Sequence, residues 1–244
     1  MKLYPAIDLK NGKAVRLFKG RFDEITVYDD NPVNRARSFS DWGFEYLHCV
    51  DLDGALSGHS VNVDVIKDIR ANIDLPIQLG GGIRNIESIE NWLTAGVSRV
   101  ILGTIAARNP EFVREAATKF PGHIAVGIDA IDGKVAVSGW AEATNIDAQE
   151  LAKRFEGAGV SAIIATDINR DGTKTGINLE YTQNMANCVS IPIIASGGLK
   201  GVEDIIAMKK LAITPGNRAI HGAIMGKALY DGLIDPKEAL GAAA

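Results

Sequence analysis

The sequence contains few cysteines and no long apolar run. Its two cysteines, Cys49 and Cys188, lie far apart among 244 residues, which argues against a disulfide framework and a cysteine-rich metal site. No apolar stretch approaches the roughly 18 residues of a membrane-spanning helix. The segment from Met1 to Asp8 also lacks the basic and apolar regions of a secretory signal peptide. We therefore expect a reduced, soluble, cytoplasmic protein that has no membrane partner.

An excess of positive charge is also absent. The chain has 26 Lys and Arg against 30 Asp and Glu, which gives a formal net charge of −4 and a pI near 5.6. This mildly acidic balance argues against nucleic acid as the main partner. His48, His59, His123 and His221 form no metal-like cluster, so no metal site is expected. The 46% hydrophobic and 23% charged residues are typical of a globular protein with a sizeable core.

Short apolar runs that end in a polar residue or glycine recur along the whole chain. We interpret eight of them as strands, at Leu3–Asp8, Tyr46–Asp51, Pro76–Gly80, Arg99–Gly103, Ile124–Asp129, Ala162–Asp167, Pro192–Ser196 and Gly222–Gly226. Asn31-Pro32, Asn109-Pro110 and Asp235-Pro236 each pair a helix N-cap with proline at the first helical position. One strand about every 30 residues is the size of a βα unit. The sequence therefore predicts a single α/β domain over residues 1–244, a (β/α)8 TIM barrel.

The chain also resembles itself across its midpoint. Residues of the first half recur 116 positions later, Asp51 as Asp167, Asn62 as Asn178, and Gly81-Gly82 as Gly197-Gly198. Ile7-Asp8 recurs as Ile128-Asp129, 121 positions later. Matches at near-constant spacing indicate a barrel built from two duplicated half-barrels. Convergent barrel chemistry would account for glycines after strands, but not for the shared Asp and Asn.

Two carboxylates are predicted to face each other across the barrel mouth. Asp8 ends the first strand and Asp129 ends the fifth. Functional residues of such barrels lie at the carboxyl ends of the strands, and opposed carboxylates suit paired general acid and general base catalysis. The alternative is that each Asp caps a helix or binds loop amides, but this does not explain why both recur at one barrel position.

Glycine clusters follow the third, fourth, seventh and eighth strands. They are Gly80-Gly81-Gly82, Gly103-Thr104, Ser196-Gly197-Gly198 and Gly226-Lys227. Such segments leave backbone N–H groups free to bind an anion, whereas they lack the spacing of a dinucleotide fingerprint. We expect two facing phosphate sites and a substrate with a phosphate at each end. A bulky residue at Gly82 or Gly198 is expected to weaken phosphate binding, with smaller effects on folding.

Longer motifs resemble a known family. They are Pro5-Ala6-Ile7-Asp8-Leu9-Lys10, His48-Cys49-Val50-Asp51-Leu52-Asp53-Gly54-Ala55, Leu79-Gly80-Gly81-Gly82-Ile83-Arg84, Gly127-Ile128-Asp129, Ser138-Gly139-Trp140, Thr166-Asp167-Ile168, Arg170-Asp171-Gly172-Thr173, Ala195-Ser196-Gly197-Gly198 and the segment from Gly222 to Tyr230. Together they resemble the HisA family, the phosphoribosylformimino-aminoimidazole carboxamide ribotide isomerases of histidine biosynthesis. The resemblance covers essentially the whole chain.

The resemblance implies an Amadori rearrangement, in which a bisphosphorylated aminoaldose becomes an aminoketose without a metal, redox or other cofactor. Asp8 matches the family's base and Asp129 its usual acid, while Asp171, after the sixth strand, is an alternative acid. Thr166 is expected to hydrogen-bond near the reacting centre. Trp140 matches an aromatic that stacks on the imidazole carboxamide; an isolated tryptophan would otherwise be a core residue more often.

Loop residues complete the predicted substrate site. Arg16 on the first loop and Arg84 are expected to balance phosphate charge, with ordinary surface arginines as the alternative. The expected binding residues are Arg16, Gly81, Gly82, Arg84, Gly103, Thr104, Trp140, Gly172, Thr173, Gly176, Ser196, Gly197, Gly198, Gly226 and Lys227. The loop that carries Trp140, with a hairpin turn at Asp132-Gly133-Lys134, is expected to close over the substrate.

Two positions depart from the family pattern. Lys174 stands where relatives often carry an apolar residue, which affects the local loop contacts but not the reaction. Ser138-Gly139 precede Trp140 where dual-substrate relatives place arginines. We therefore expect no second activity on phosphoribosyl anthranilate.

Two other functions compete with the isomerase. The sister cyclase, a lyase on the same half-barrel plan, opens with Cys-Leu-Asp-Val and then Val-Val-Lys-Gly, so Ala6-Ile7-Asp8-Leu9 and Val15-Arg16-Leu17 fit the isomerase better. A non-catalytic phosphosugar-binding barrel is the alternative from another class, and the presence of both acids and both glycine clusters argues against it. We expect a monomer that binds a small-molecule bisphosphate and has no obligate protein partner.

Overall fold

The computed structural model describes residues 1–244 as twelve strands and eleven helices. The strands are β1 (Lys2–Lys10), β2 (Lys13–Phe18), β3 (Arg21–Asp29), β4 (Leu47–Asp51), β5 (Ile77–Gly80), β6 (Arg99–Leu102), β7 (Ile124–Ile131), β8 (Lys134–Val137), β9 (Glu142–Asp147), β10 (Ala162–Asp167), β11 (Ile193–Ser196) and β12 (Gly222–Met225). The helices are α1 (Pro32–Asp41), α2 (Leu52–Ser57), α3 (Val63–Asn72), α4 (Ile86–Thr94), α5 (Thr104–Arg108), α6 (Pro110–Lys119), α7 (Ala148–Lys153), α8 (Leu179–Cys188), α9 (Val202–Ala212), α10 (Lys227–Tyr230) and α11 (Pro236–Ala243).

Eight parallel strands close into a barrel. Their order is β10-β11-β12-β1-β4-β5-β6-β7, and β7 pairs with β10 to complete the circle. These are the eight predicted strands in the predicted sequence order, with ends that differ by one or two residues. The predicted (β/α)8 barrel is confirmed. Because all eight strands run in parallel, their carboxyl ends meet at one mouth.

A β-hairpin extends the barrel after the first and after the fifth barrel strand. β2 and β3 continue β1 as antiparallel strands, and β8 and β9 continue β7 in the same way. The connecting turns, Asn11-Gly12 and Asp132-Gly133, have matching left-handed φ angles of 49° and 76°, and of 50° and 77°. Two left-handed residues are typical of the tight turns that join antiparallel strands. The Asp132-Gly133 turn is as predicted, whereas the first hairpin stands where a loop was expected.

Apolar side chains fill the barrel and the layer between strands and helices. Inside the barrel, Tyr4, Ile101, Ile164 and Ile224 belong to one buried cluster, and a second cluster of 55 buried residues lies mainly between the strands and the helices. Helix starts follow the predicted signals, since the side chains of Asn31, Asn109 and Asp235 each accept a backbone N–H of the first turn. The chain has no helix of the length and apolar character needed to cross a membrane.

Candidate active site

One pocket at the carboxyl ends of the barrel strands gathers nearly all of the predicted site residues. Those that line it are Asp8, Arg16, Gly81, Gly82, Arg84, Gly103, Thr104, Asp129, Trp140, Thr166, Asp171, Gly172, Ser196, Gly197, Gly198, Gly226 and Lys227. This is the end at which parallel barrels carry their functional residues. Asp8 is in β1, Asp129 in β7 and Thr166 in β10, so three different strands deliver three of the four predicted catalytic groups. The fourth, Asp171, lies in the loop after β10.

Thr173 and Gly176 do not line this pocket. The Thr173 hydroxyl donates to the Arg170 carbonyl at 2.6 Å. Gly176 donates its N–H to the Gly198 carbonyl at 2.9 Å and accepts from Arg170 Nη1 at 3.0 Å. Their polar groups are therefore engaged within the loop that follows β10 and with Gly198 after β11, which argues against both residues as substrate ligands.

Arg16 forms an ion pair with Asp8. Arg16 Nη1 lies 2.7 Å from Asp8 Oδ2, its Nη2 donates to the Ala6 carbonyl, and its guanidinium lies 4.8 Å from the centre of the Tyr230 ring. The side chain is buried, and its Nε has no hydrogen-bond partner. The predicted position on the first loop is wrong, because Arg16 lies in β2 and reaches Asp8 across the hairpin. Arg16 thus fixes the Asp8 carboxylate at the pocket wall.

Asp129 is hydrogen-bonded to the loop tryptophan. Its Oδ2 accepts from Trp140 Nε1 at 2.8 Å. Burial raises the pKa of Asp129, while the hydrogen bonds from Trp140 and Thr166 act in the opposite direction. Asp129 therefore joins the end of β7, the loop after it and Thr166 of the neighbouring strand β10.

Asp171 carries the most perturbed carboxyl of the pocket. Burial raises the pKa of Asp171 to about 7, and the charges of Asp8 and Asp129 add to this shift, whereas Arg16 and Lys227 oppose it. The group is consequently part protonated at neutral pH, which suits a general acid. A backbone bond from Lys19 N to the Asp171 carbonyl, 3.1 Å long, holds its loop against the first hairpin.

The loop after β8 places Trp140 over the barrel mouth. Ser138, Gly139 and Trp140 all have left-handed φ angles, of 58°, 64° and 72°. The indole packs against Gly20 in the turn between β2 and β3, where an added Cβ would lie 2.0 Å from a ring carbon. Ser138 N also donates to Thr104 Oγ1 at 2.9 Å. The loop therefore reaches from the β6 side of the pocket to the first hairpin.

The glycines that follow β5 and β11 are surrounded more closely than those that follow β6 and β12. Gly82 and Gly198 have φ angles of 72° and 93°, and an added Cβ would lie 2.6 Å from the carbonyl oxygens of Gly54 and Gly176, respectively. The expectation that a bulky residue there affects folding less than phosphate binding therefore does not hold, because both positions require glycine for chain packing.

The space beside Gly103 and Gly226 is open. Their φ angles are negative, −95° and −106°. An added Cβ would meet nothing within 4 Å at Gly103, and at Gly226 its nearest neighbour would be Arg16 Cζ at 3.8 Å. Since both glycines line the pocket, a methyl group there would enter space that a ligand would use.

Three cations line the pocket in addition to Arg16. Arg84 follows β5 and donates from Nη2 to the Ala55 carbonyl at 3.4 Å, while Lys227 begins α10 next to Gly226. Lys174, which departs from the family pattern, places its Nζ 2.6 Å from Asp231 Oδ2. Asp231 also accepts from the Tyr28 hydroxyl at 2.5 Å. Lys174 thereby links the loop after β10 to the first hairpin through Asp231.

His48 is a pocket residue that the sequence did not single out. It lies in β4 and lines the pocket. Its Nδ1 is 2.9 Å from Gln78 Nε2, and burial, together with the charges of Arg16 and Arg99, lowers the pKa of His48 to about 3. The ring is thus neutral. The available signal was its place in the predicted strand Tyr46–Asp51, close to the carboxyl end that forms the mouth.

Comparison with known proteins identifies the family. Residues 2–235 match the family described as histidine biosynthesis protein. The chain belongs to this family. It is similar over 98% of its length to proteins named 1-(5-phosphoribosyl)-5-((5-phosphoribosylamino)methylideneamino) imidazole-4-carboxamide isomerase from Rhizobium johnstonii (58% identical, 95% of the relative covered), Rhizobium etli (59%, 95%) and Chelativorans sp. (60%, 97%). The predicted membership of this histidine biosynthesis family is confirmed.

Proposed function

We propose that this protein is an isomerase of histidine biosynthesis that converts an aminoaldose carrying two phosphoribosyl groups into the corresponding aminoketose. Relatives that are 57–60% identical bear the name of this isomerase, as the motifs of the sequence predicted. The observation that carries the proposal is the three-carboxylate mouth, in which Asp171, with a pKa of about 7, shares one pocket with Asp129, the Asp8–Arg16 pair and the glycine segments. The roles assigned to individual residues are part of this proposal.

Asp171 is proposed to open the ribose ring. Its carboxylic acid donates a proton to the ring oxygen, the bond from that oxygen to C1 breaks, and the nitrogen lone pair forms an iminium with C1. An acid is most effective when its pKa lies near the working pH, and the pKa of Asp171 is about 7. The neighbouring carboxylates Asp8 and Asp129 keep its proton bound by like-charge repulsion.

Asp8 is proposed to remove the proton from C2 of the iminium. The C–H electron pair then forms the C1–C2 double bond of an enolamine, and the C1–N electron pair returns to nitrogen. Tautomerisation of the enolamine gives the ketone at C2 and completes the rearrangement. Arg16, 2.7 Å from Asp8 Oδ2, holds the carboxylate in one orientation, which favours proton transfer at a defined atom.

Trp140 is proposed to stack on the imidazole carboxamide. The bond from Trp140 Nε1 to Asp129 fixes the indole at the mouth, and flat aromatic faces favour stacked contacts with heterocycles. Asp129 accordingly positions this ring, with Thr166 beside it. Closure of the Trp140 loop over the first hairpin would exclude water from the iminium.

The two phosphates are proposed to bind at the two glycine clusters. One cradle consists of Gly81, Gly82, Gly103, Thr104 and Arg84, and the other of Ser196, Gly197, Gly198, Gly226 and Lys227, with Gly172 beside it. Free backbone N–H groups and one cation at each cradle suit a phosphate dianion. Two cradles match the two phosphoribosyl groups in the relatives' name.

Alanine at Gly103 or Gly226 should weaken substrate binding from one end. The added methyl enters open pocket space at either position, so we expect KM to rise about tenfold or more through displaced phosphate, while the melting temperature reports any effect on folding separately. Steady-state kinetics and thermal melting check this. Gly241→Ala is the control, because Gly241 lies in α11 away from the pocket and an added Cβ there would meet nothing within 4 Å. Gly122→Ala is unsuitable as a control, because the φ angle of Gly122 is +84°. An unchanged KM for either variant would contradict phosphate binding at that end.

Turnover of the aminoaldose tests the function itself. We expect conversion without added metal or nicotinamide, unaffected by a chelator, and followed by the ultraviolet change when the product is coupled to the cyclase. Strict dependence on a metal would refute the acid–base mechanism. Ring closure that requires ammonia would favour the sister cyclase. Tight bisphosphate binding without turnover would favour a non-catalytic barrel. Turnover of phosphoribosyl anthranilate would contradict the predicted single activity.

The proposal includes a monomer in the cytoplasm without an obligate protein partner. Its support is that one chain supplies all three carboxylates and both cradles. Light scattering across a range of protein concentrations, read together with specific activity, tests the monomer.

A further inference from the structure

Two Asp–Asn pairs, buried except for the half-buried Asn178, recur in the two halves of the barrel but lie outside the pocket lining. They are Asp51 with Asn62 and Asp167 with Asn178, and each amide Nδ2 donates to its carboxylate at 2.7 Å. We infer that these pairs are positioning residues, each of which holds one of the two phosphate cradles in shape. The inference rests on the proposed two-ended binding of a bisphosphate.

Asp51 folds the loop after β4 around its side chain. Its carboxylate accepts from the backbone N–H of Gly54 at 2.9 Å, of Val61 at 2.7 Å and of Asn62 at 3.0 Å, in addition to the Asn62 amide. The residue is only 1% exposed. A buried carboxylate with four donors is a rigid centre, because loss of any donor leaves charge unsatisfied.

The loop held by Asp51 packs directly on the first cradle. An added Cβ on Gly81 would lie 2.1 Å from the Asp51 carbonyl oxygen, and one on Gly82 would lie 2.6 Å from that of Gly54. The backbone of the cradle therefore touches the backbone at both ends of the Asp51–Gly54 turn. Any shift of this turn must move the Gly81 and Gly82 N–H groups.

The second half repeats the arrangement. Asp167 ends β10 and accepts from Asn169 N at 3.0 Å as well as from Asn178. An added Cβ on Gly197 would lie 2.4 Å from the Asp167 carbonyl oxygen. The same carboxylate–amide bond thus lies beneath the corresponding glycine of the other cradle.

Helix capping does not account for the pair of asparagines. Asn178 caps α8 by accepting from Tyr181 N at 3.1 Å, but Asn62 makes no side-chain cap bond to α3. Asn62 Oδ1 instead accepts from Gly12 N of the first hairpin at 2.9 Å. What the two asparagines share is the bond to the aspartate, and what the two aspartates share is the contact with a cradle glycine.

The test measures phosphate binding at each cradle separately. The protein is titrated with inorganic phosphate and the amide NMR shifts of Gly82 and Gly198 report the two cradles. Asn62→Ala should weaken binding read at Gly82 by about tenfold, with less than about twofold change at Gly198. Asn178→Ala should give the reverse pattern, so that each variant is the matched control of the other.

The same titration separates this inference from the proposed function. If phosphate shifts neither glycine amide in the unmodified protein, two-ended binding fails whatever the variants do. If both amides respond but each variant weakens both cradles equally, or lowers the melting temperature without changing either affinity, the positioning role is wrong. Should an alanine variant not fold, Asn62→Ser and Asn178→Ser provide the same comparison, since serine retains a polar group in the buried site.

Discussion

Asp8→Asn is expected to abolish turnover while leaving substrate binding nearly intact. Asparagine keeps the shape of the side chain, and its oxygen can still accept from Arg16 Nη1, which lies 2.7 Å from Asp8 Oδ2. It cannot accept the C2 proton. General base catalysis contributes about 10²–10⁴-fold, so kcat should fall by at least that factor. Single-turnover kinetics and calorimetric binding of the aminoaldose separate the two effects.

Asp30→Asn is the matched control for this variant. Asp30 forms an ion pair of the same length, 2.7 Å from Lys13 Nζ, but its side chain is 79% exposed and lies outside the pocket. Exposed ion pairs contribute little to stability, so both turnover and melting temperature should stay unchanged. Near-normal turnover of Asp8→Asn would refute the proposed mechanism, whichever acid opens the ring.

The barrel and its opposed residues could be predicted because they follow from local patterns. Apolar runs with a terminal Asp or Gly mark where each strand ends, and a barrel brings those ends to one mouth. Asp8 and Asp129 could be predicted in this way, since each ends an apolar run and each has a counterpart in the other half of the chain. The paired Asn and Asp residues were visible as a repeat, but their bonds required the folded loops.

Features that depend on contacts between distant loops could not be predicted. The β2–β3 hairpin was missed because β3 is largely exposed and polar, so Arg16 was placed on a loop rather than in a strand beside Asp8. The neutral state of His48 arises from burial and from Arg16 and Arg99. For the same reason the sequence left the choice between Asp129 and Asp171 open, since the pKa of Asp171 reflects the charges of Asp8, Arg16, Asp129 and Lys227, which lie in four other elements.

Asp171→Asn should cost more activity than Asp129→Asn. Asparagine at 171 removes the proposed proton donor, so kcat/KM should fall about 10²–10⁴-fold. Asparagine at 129 can still accept from Trp140 Nε1, which lies 2.8 Å from Asp129 Oδ2, so we expect a smaller loss. Asp129→Ala, which removes that acceptor, should be more impaired than Asp129→Asn, and mainly in KM if Asp129 positions the tryptophan.

The pH profile gives each carboxylate its own signature. An acid must be protonated to act, so kcat/KM of the unmodified enzyme should fall as pH rises through about 7, the pKa of Asp171. In Asp171→Asn that limb should disappear. In Asp129→Asn the limb should remain but move to lower pH, because the Asp129 charge helps to raise the pKa of Asp171. Loss of the limb in Asp129→Asn, with a normal limb in Asp171→Asn, would assign the acid to Asp129.

Stability provides a readout of Asp171 that is independent of turnover. Its folded-state pKa of about 7 lies above the ordinary value of 3.8, so the folded protein binds the proton more tightly than the unfolded chain. The stabilising contribution of that proton is present at low pH and is lost as pH rises from about 4 through about 7. Asp171→Asn cannot ionise and escapes this loss. Its melting temperature, relative to that of the unmodified protein, should therefore increase from pH 5 to pH 8, and a constant difference would show that the Asp171 carboxyl is not perturbed as the mechanism requires.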